Sequence, residues 1–341
     1  MNDSSGAARW PHILSPFCLG PLDLPNRSVV APMTRISADA DGVPTAQMAE
    51  HYAAFARGGF GLIITEGTHP DTAQSQGYRD QPGIVTPAQV EGWRRVVDAV
   101  HAAGGRIVLQ LMHAGALVQE NRYTDDIIAP SAVQPAGNMG ARYYGDGPFH
   151  TPRAMTGDEI AAVVASFETA AANAMTAGFD GVEIHGANGY LPVQFLTPES
   201  NARTDGYGGS LENRLRFHLE IMAAVVRGVA GRGLAGMRMS QSRSNDFNHK
   251  WAGGVDDAKA IFEALAGAGA DYIHVSTHQG LGEEFDSGHT LAGLAREYAG
   301  VPVIACGKLE DPSSGEQLLA AGEADLVAIA RGAIGDPSWP D

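Results

Sequence analysis

Val29-Val30-Ala31-Pro32-Met33-Thr34-Arg35 is the stretch that decides between the two α/β architectures open to this chain. A doubly wound dinucleotide-binding sheet places G-x-G-x-x-G directly after its first strand, where the glycines let the backbone close on a pyrophosphate. Here the β-branched run passes straight into Ala31-Pro32-Met33-Thr34-Arg35, which contains no glycine. Moving outward, strand-like runs recur at Leu62–Thr65, Ile107–Leu111, Gly181–Ile184, Ala235–Met239, Tyr272–Val275, Val303–Ala305 and Leu326–Ile329. Helical spacing fills Pro87–Ala103, Asp158–Ala177, Leu211–Val229, Asp256–Ala268 and Ser313–Ala321, many of them ending in Ala-Gly pairs that stop helices. Thr156 and Glu159 have the spacing of a capping box. Eight strands alternating with helices predict a (β/α)8 TIM barrel, one domain over residues 1–341.

Two segments stand outside the regular repeat. The connection after the third strand is the longest, and its Gly-, Pro- and Tyr-rich excess over about 118–153 predicts a capping insertion over the barrel mouth. Before the first strand, Phe17–Arg27 carries turns at Gly20-Pro21 and Pro25-Asn26 and reads as a hairpin lid on the lower end.

Composition narrows the function. With 23 basic against 39 acidic residues the net charge is −16, which repels nucleic acid. No apolar run approaches the about 18 residues of a membrane span, and Met1–Leu14 has no apolar core, so no membrane and a cytoplasmic location are expected. Two cysteines, Cys18 and Cys306, are too few for a disulfide scaffold, a four-thiolate zinc site or a protein-ligated iron–sulfur cluster. H-E-x-x-H is also missing, so no metal is expected. Glycine, by contrast, is abundant at 43 of 341 residues.

Barrel enzymes do their chemistry at the C-terminal ends of the strands, so the residues there matter most. Thr34, Glu66 with Gly67, Gln110 with His113, His185 with Asn188 and Tyr190, Arg238, Gly307 and Arg331 all fall at that rim. The densest group is His185-Gly186-Ala187-Asn188-Gly189-Tyr190. His185 and Asn188 can both donate to one carbonyl oxygen and stabilise an enolate, and Tyr190 can protonate the neighbouring carbon. A histidine at a strand end is also an ordinary core residue when it stands alone. Cys306-Gly307-Lys308 and Ala330-Arg331-Gly332 stand where barrels hold a phosphate, although Arg331 can equally form a surface ion pair. Gln110 and Arg238 would read a ring with amide-like edges between the two groups, although either can equally be a structural strand-end residue.

Asn26–Arg35, Thr65-Glu66-Gly67-Thr68, Leu109–His113 and Gly181–Arg216, the last including Ser200-Asn201-Ala202-Arg203-Thr204-Asp205-Gly206-Tyr207-Gly208-Gly209, resemble the Old Yellow Enzyme family of flavin-dependent ene-reductases. The likeness runs in order from about residue 13 to 340. It implies FMN held on top of a TIM barrel, reduced by NADPH or NADH, with hydride passing from flavin N5 to an activated alkene such as an α,β-unsaturated carbonyl compound. By the same resemblance Thr34 meets flavin O4, Pro32, Met33 and Gly67 line the ring, and Gln110 reads the pyrimidine edge. Arg238 then sits by N1 and O2, and Gly307 and Arg331 hold the phosphate. His185 and Asn188 grip the substrate carbonyl, Met112 lines the substrate pocket, and Tyr190 supplies the proton.

Departures from the family pattern are Ala330 in place of a glycine, Met112 in place of a large aromatic ring, and His113-Ala114-Gly115-Ala116 without a following arginine. Only ten residues follow Arg331, so the expected C-terminal helix and tail are missing from this sequence. The insertion and the loop Gln241–Trp251 are expected to set substrate choice. A homodimer is compatible with this reading. The alternatives are a flavin-binding isomerase or non-reductive barrel protein, and a flavin-free aldolase-like barrel with Lys308 as its only candidate lysine.

Overall fold

A computed structural model describes residues 9–340. The start of the segment read for a leader, residues 1–8, lies outside the described residues. Eight parallel strands close into a barrel: β1 (Ser28–Val30), β2 (Leu62–Ile64), β3 (Ile107–Leu111), β4 (Gly181–Asn188), β5 (Leu234–Arg243), β6 (Tyr272–Ser276), β7 (Val303–Cys306) and β8 (Leu326–Ile329). β8 pairs with β1 through Val327 opposite Ser28 and Ala328 opposite Val29, which completes the ring. Every run read as a strand is therefore a barrel strand, and β4 and β5 extend furthest beyond the runs that announced them.

The helices are α1 (Ala46–Arg57), α2 (Pro87–Ala102), α3 (Gly157–Ala177), α4 (Leu191–Leu196), α5 (Leu211–Val229), α6 (Val255–Gly267), α7 (Leu291–Ala299), α8 (Pro312–Ala320) and α9 (Arg331–Gly335). Thr156 caps α3, and its side chain and that of Glu159 each accept from the other's backbone N–H, as the capping box predicts. One expectation needs correcting. α3 has 21 residues and is apolar enough to cross a membrane by length and composition. Ile160, Val163, Phe167, Ala170, Ala171 and Ala174 of this helix are instead buried in the core shared by the barrel and its outer helices.

Period-two alternation along the strands divides the core in two. Outward residues such as Leu109, Val182, Ile184, Met237, Ile273 and Val327 pack under the helices. Inward residues at the lower end, among them Val29, Leu62, Val108, Leu234, Ile304 and Leu326, pack with Leu19 and Leu24. These two leucines come from the antiparallel hairpin Phe17–Leu19 and Leu22–Leu24, which plugs the barrel floor as expected. Higher up, the inward positions become polar. The predicted insertion contains the short parallel pair Ile128–Ala129 and Arg153–Ala154 and a turn of 3-10 helix at Ala141–Tyr143.

Candidate active site

Above the apolar floor the barrel holds a ring of buried polar side chains. Gln110 on β3 donates through Nε2 to Glu183 Oε1 on β4 at 2.8 Å. The other carboxylate oxygen of Glu183 accepts from the Tyr272 hydroxyl at 3.2 Å and faces His274 Nδ1 at 3.0 Å, both on β6. Burial alone would raise the Glu183 pKa, but His274, Arg238 and the Gln110 amide outweigh it and hold the carboxyl below its ordinary value. Burial would likewise lower His274, yet the facing Glu183 carries it above the usual imidazole value. Glu183 and His274 thus form a buried ion pair, and the sequence reading assigned neither of them a role. Position 183 lies two residues before His185 on one strand, so both side chains point into the barrel; that spacing was the available signal.

Arg238 on β5 reaches Ser276 Oγ at 3.1 Å and Cys306 Sγ at 3.7 Å. Its Nε has no partner among the described residues, although the residue is only 6 % exposed. A buried guanidinium N–H without an acceptor costs free energy unless something accepts it. The anionic or carbonyl edge of a flavin pyrimidine fits this donor. Gln110 fits beside it, because donating its NH2 to Glu183 leaves the amide oxygen to accept from a ring N–H.

At the end of β4 the chain departs from regular strand geometry. Residues three apart on a strand face opposite sides. A register shift between Gly186 and Asn188 and a left-handed backbone at Asn188 (φ 61°) break that alternation between His185 and Asn188. Asn188 N donates to Ser240 Oγ at 2.8 Å, which ties the irregular turn to β5. His185 is held as neutral imidazole by burial and by the nearby Arg238 and His274 charges, which push its pKa well below the ordinary value. The Ala187 N–H donates to His185 Nδ1 at 3.3 Å, so the ring proton sits on Nε2. That leaves Nε2–H as the free donor.

Tyr190, at the N-cap of α4, packs edge-on against the His185 ring with centroids 4.8 Å apart. It belongs to a buried cluster with Tyr78, Met112, Ala114, Leu117, Val118 and Phe149. Met112 sits against Gly67, where an added Cβ would lie 2.7 Å from Met112 Sδ. Glycine at 67 therefore lets β2 and β3 close together at the rim. Between the insertion, α4 and the end of β5 lies a cavity of about 240 Å3, walled by Ser131, Gln134, Gly189, Val193, Arg243 and Asn245 among others.

The loop after β1 places Pro32 in the interior and leaves Met33 and Thr34 half-buried at the rim. Glu66 pins this loop: its Oε2 accepts from the backbone N–H groups of Arg35 at 2.9 Å and Ile36 at 3.0 Å. Burial pushes the Glu66 pKa up to about 7, against those hydrogen bonds, which act to lower it. Across the rim, Gly307 has φ 145°, and a Cβ there would run into the Thr277 carbonyl oxygen. Ala330 has φ −99° and ψ −95°, outside the main helical and extended regions, at the position where the family pattern has a glycine. Arg331 opens the five-residue helix α9 with its side chain 82 % exposed and its nearest carboxylate, Glu310, at 3.9 Å. That leaves the guanidinium available to a phosphate.

Over residues 12–341 the chain matches the model of the NADH:flavin oxidoreductase / NADH oxidase family. It is 38% identical over 336 residues to a probable flavin mononucleotide-dependent alkene reductase of Leishmania infantum, covering 95% of this chain and 88% of that one. Among solved structures, morphinone reductase in complex with tetrahydroNAD superposes with a TM-score of 0.85 at 36% identity, covering 97% of this chain and 89% of that one. The old yellow enzyme homologue from Zymomonas mobilis gives 0.87 at 32% identity, covering 97% and 91%. With the closed barrel and the polar rim already in place, these matches mean that the chain belongs to the NADH:flavin oxidoreductase / NADH oxidase family, and within it to the FMN-dependent Old Yellow Enzyme type.

Proposed function

We propose that this flavin oxidoreductase is an ene-reductase, which reduces the activated C=C bond of α,β-unsaturated carbonyl compounds at the expense of a nicotinamide cofactor, NADH or NADPH. The observation that carries the reading is the meeting of a neutral His185 and the Tyr190 phenol, rings 4.8 Å apart, beside the unpartnered Arg238 Nε. FMN, when bound, supplies hydride exchange between the nicotinamide and the alkene. Gln110 and Arg238 would hold its pyrimidine edge, Thr34, Met33, Pro32 and Gly67 its ring, and Gly307 with Arg331 its phosphate. The structure of morphinone reductase with tetrahydroNAD supports a nicotinamide as reductant.

His185 Nε2–H and the Asn188 amide donate to the substrate carbonyl and so stabilise the negative charge that develops there. A neutral imidazole donates without competing as an acid, which leaves proton delivery to Tyr190. Burial raises the Tyr190 pKa, so the phenol is protonated and available at neutral pH. The cavity between the insertion and the Arg243–Asp246 turn takes the remainder of the substrate and sets its size.

Rapid mixing under anaerobic conditions tests the reading. Protein reconstituted with FMN should bleach with NADH or NADPH and recover its yellow colour with 2-cyclohexenone. Tyr190→Phe should slow the recovery and leave the bleaching largely intact. Protein that takes up no FMN, or a variant in which both half-reactions fall equally, would contradict it.

A further inference from the structure

The Tyr190 phenol has one hydrogen-bond partner among the described residues, and it comes from a distant part of the chain. Tyr78, in the connection between β2 and α2, places its hydroxyl 2.5 Å from that of Tyr190. Both rings are buried, 6 % and 7 % exposed. Around them the pocket is apolar, with Met112, Leu117, Val118 and Phe149 in the same cluster. The insertion reaches the pair from above: the Tyr143 ring packs edge-on against Tyr78 at 4.8 Å, and the Arg142 guanidinium lies over Tyr143 at 4.4 Å.

We propose that Tyr78 is the positioning residue of the acid, holding the Tyr190 hydroxyl toward the substrate and donating its own hydrogen to the Tyr190 oxygen as that oxygen becomes anionic, with Tyr143 of the insertion bracing Tyr78 in place. The proposal rests on Tyr190 being the acid. Two adjacent phenols can be arranged in two ways. If Tyr190 donates to Tyr78, its proton is used up within the pair. If Tyr78 donates to Tyr190, the Tyr190 proton is free for a ligand, and only this arrangement serves an acid.

In the transfer the Tyr190 O–H bond breaks and a C–H bond forms from the electron pair on the substrate carbon. The O–H pair stays on Tyr190, and solvent water returns the proton after the product leaves. A hydrogen bond to an anion is roughly twice as strong as one between neutral groups. Tyr78 therefore binds more tightly after the transfer than before it, which is the condition for lowering the barrier. Burial raises the pKa of both phenols, so Tyr78 remains a donor throughout.

Tyr78→Phe removes one hydroxyl and keeps the ring that packs on Tyr143. In the holoenzyme, reoxidation by 2-cyclohexenone should slow by about tenfold or more, the equivalent of a charge-assisted hydrogen bond, with NADH-driven bleaching unchanged. The double variant with Tyr190→Phe should be no slower than Tyr190→Phe alone. A second measurement uses apoprotein carrying 3,5-difluorotyrosine at position 190, followed by fluorine NMR. Tyr143, Arg142, Arg238 and His185 face the pair in both proteins, so a rise of about one pH unit in the titration midpoint on Tyr78→Phe isolates the Tyr78 hydroxyl.

Wild-type reoxidation and an unmoved midpoint in Tyr78→Phe would overturn the proposal while a slow Tyr190→Phe kept the acid assignment standing. Equal slowing of both half-reactions in Tyr78→Phe would also overturn it, by showing a merely structural role. Fast reoxidation in Tyr190→Phe would remove the acid and the positioning residue together.

Discussion

Gln110 and Glu183 lie 73 residues apart in sequence and are joined inside the barrel by a 2.8 Å hydrogen bond from amide nitrogen to carboxylate. The bond fixes which end of the Gln110 amide faces the rim, and the same carboxylate pairs with His274, which lies in register with Arg238 on the neighbouring strand. Glu183→Gln should loosen both. Losing one orienting hydrogen bond predicts an FMN dissociation constant raised by about three- to tenfold. Removing one partner of a buried pair predicts a loss of about 3–5 kcal/mol in stability. Fluorescence titration of apoprotein with FMN and urea unfolding check the two effects separately.

Gly307 occupies a backbone conformation and a space closed to other residues. Gly307→Ala would push a methyl into the Thr277 carbonyl oxygen at φ 145°. The loop beside Arg331 must then move, and purified protein should retain little flavin, read as the ratio of flavin to protein absorbance. Gly322→Ala is the control for backbone strain alone, since it also has a positive φ (71°) but nothing within 4 Å of the added carbon; it should retain its flavin.

Glu66 and the loop that follows Thr34 depend on pH together. The folded carboxyl is raised to about 7 from 4.5, so its contribution to stability is present below about pH 4.5 and is lost as pH rises through 7. The full shift corresponds to about 3 kcal/mol. Glu66→Gln cannot ionise, so its stability should gain on the wild type between pH 5 and pH 8, as seen in paired thermal melts.

His218 on α5 acts in the opposite direction. It is completely buried, neither ring nitrogen has a partner among the described residues, and burial alone lowers its pKa to about 3. A depressed pKa contributes stability that is present above about pH 6.5 and is lost as pH falls toward 3. Between pH 7 and pH 4.5 the wild type should lose about 2–3 kcal/mol that His218→Leu does not lose. Urea unfolding of both proteins at the two pH values measures the difference.

The eight barrel strands were legible because each carries a short β-branched or apolar run, and the helix caps because Thr156 and Glu159 stand at the required spacing. Helices α1 and α7 went unread although Met48, Tyr52 and Phe55 in one and Leu291, Leu294 and Ala295 in the other stand at helical spacing on the buried face. Among the site residues, those at strand ends could be named because the fold assigns chemistry to one rim. Tyr78 could not: it lies in a long connection with no period to read, and nothing local pairs it with a residue 112 positions away. The ionic role of Glu183 was equally hidden, because its partner His274 sits on β6, two strands away around the ring.

The sequence by itself determined the barrel, the rim and the kinds of side chain gathered there, since local propensity and period two are properties of neighbouring residues. It also carried the family likeness from which FMN follows. Tertiary structure decided the charge state of His185, the orientation of the Gln110 amide, the pinning of the Thr34 loop by Glu66 and the partner of Tyr190. All of these depend on desolvation and on contacts between strands far apart in the chain, and hydrogen bonds and pKa values answer to what surrounds a group in space.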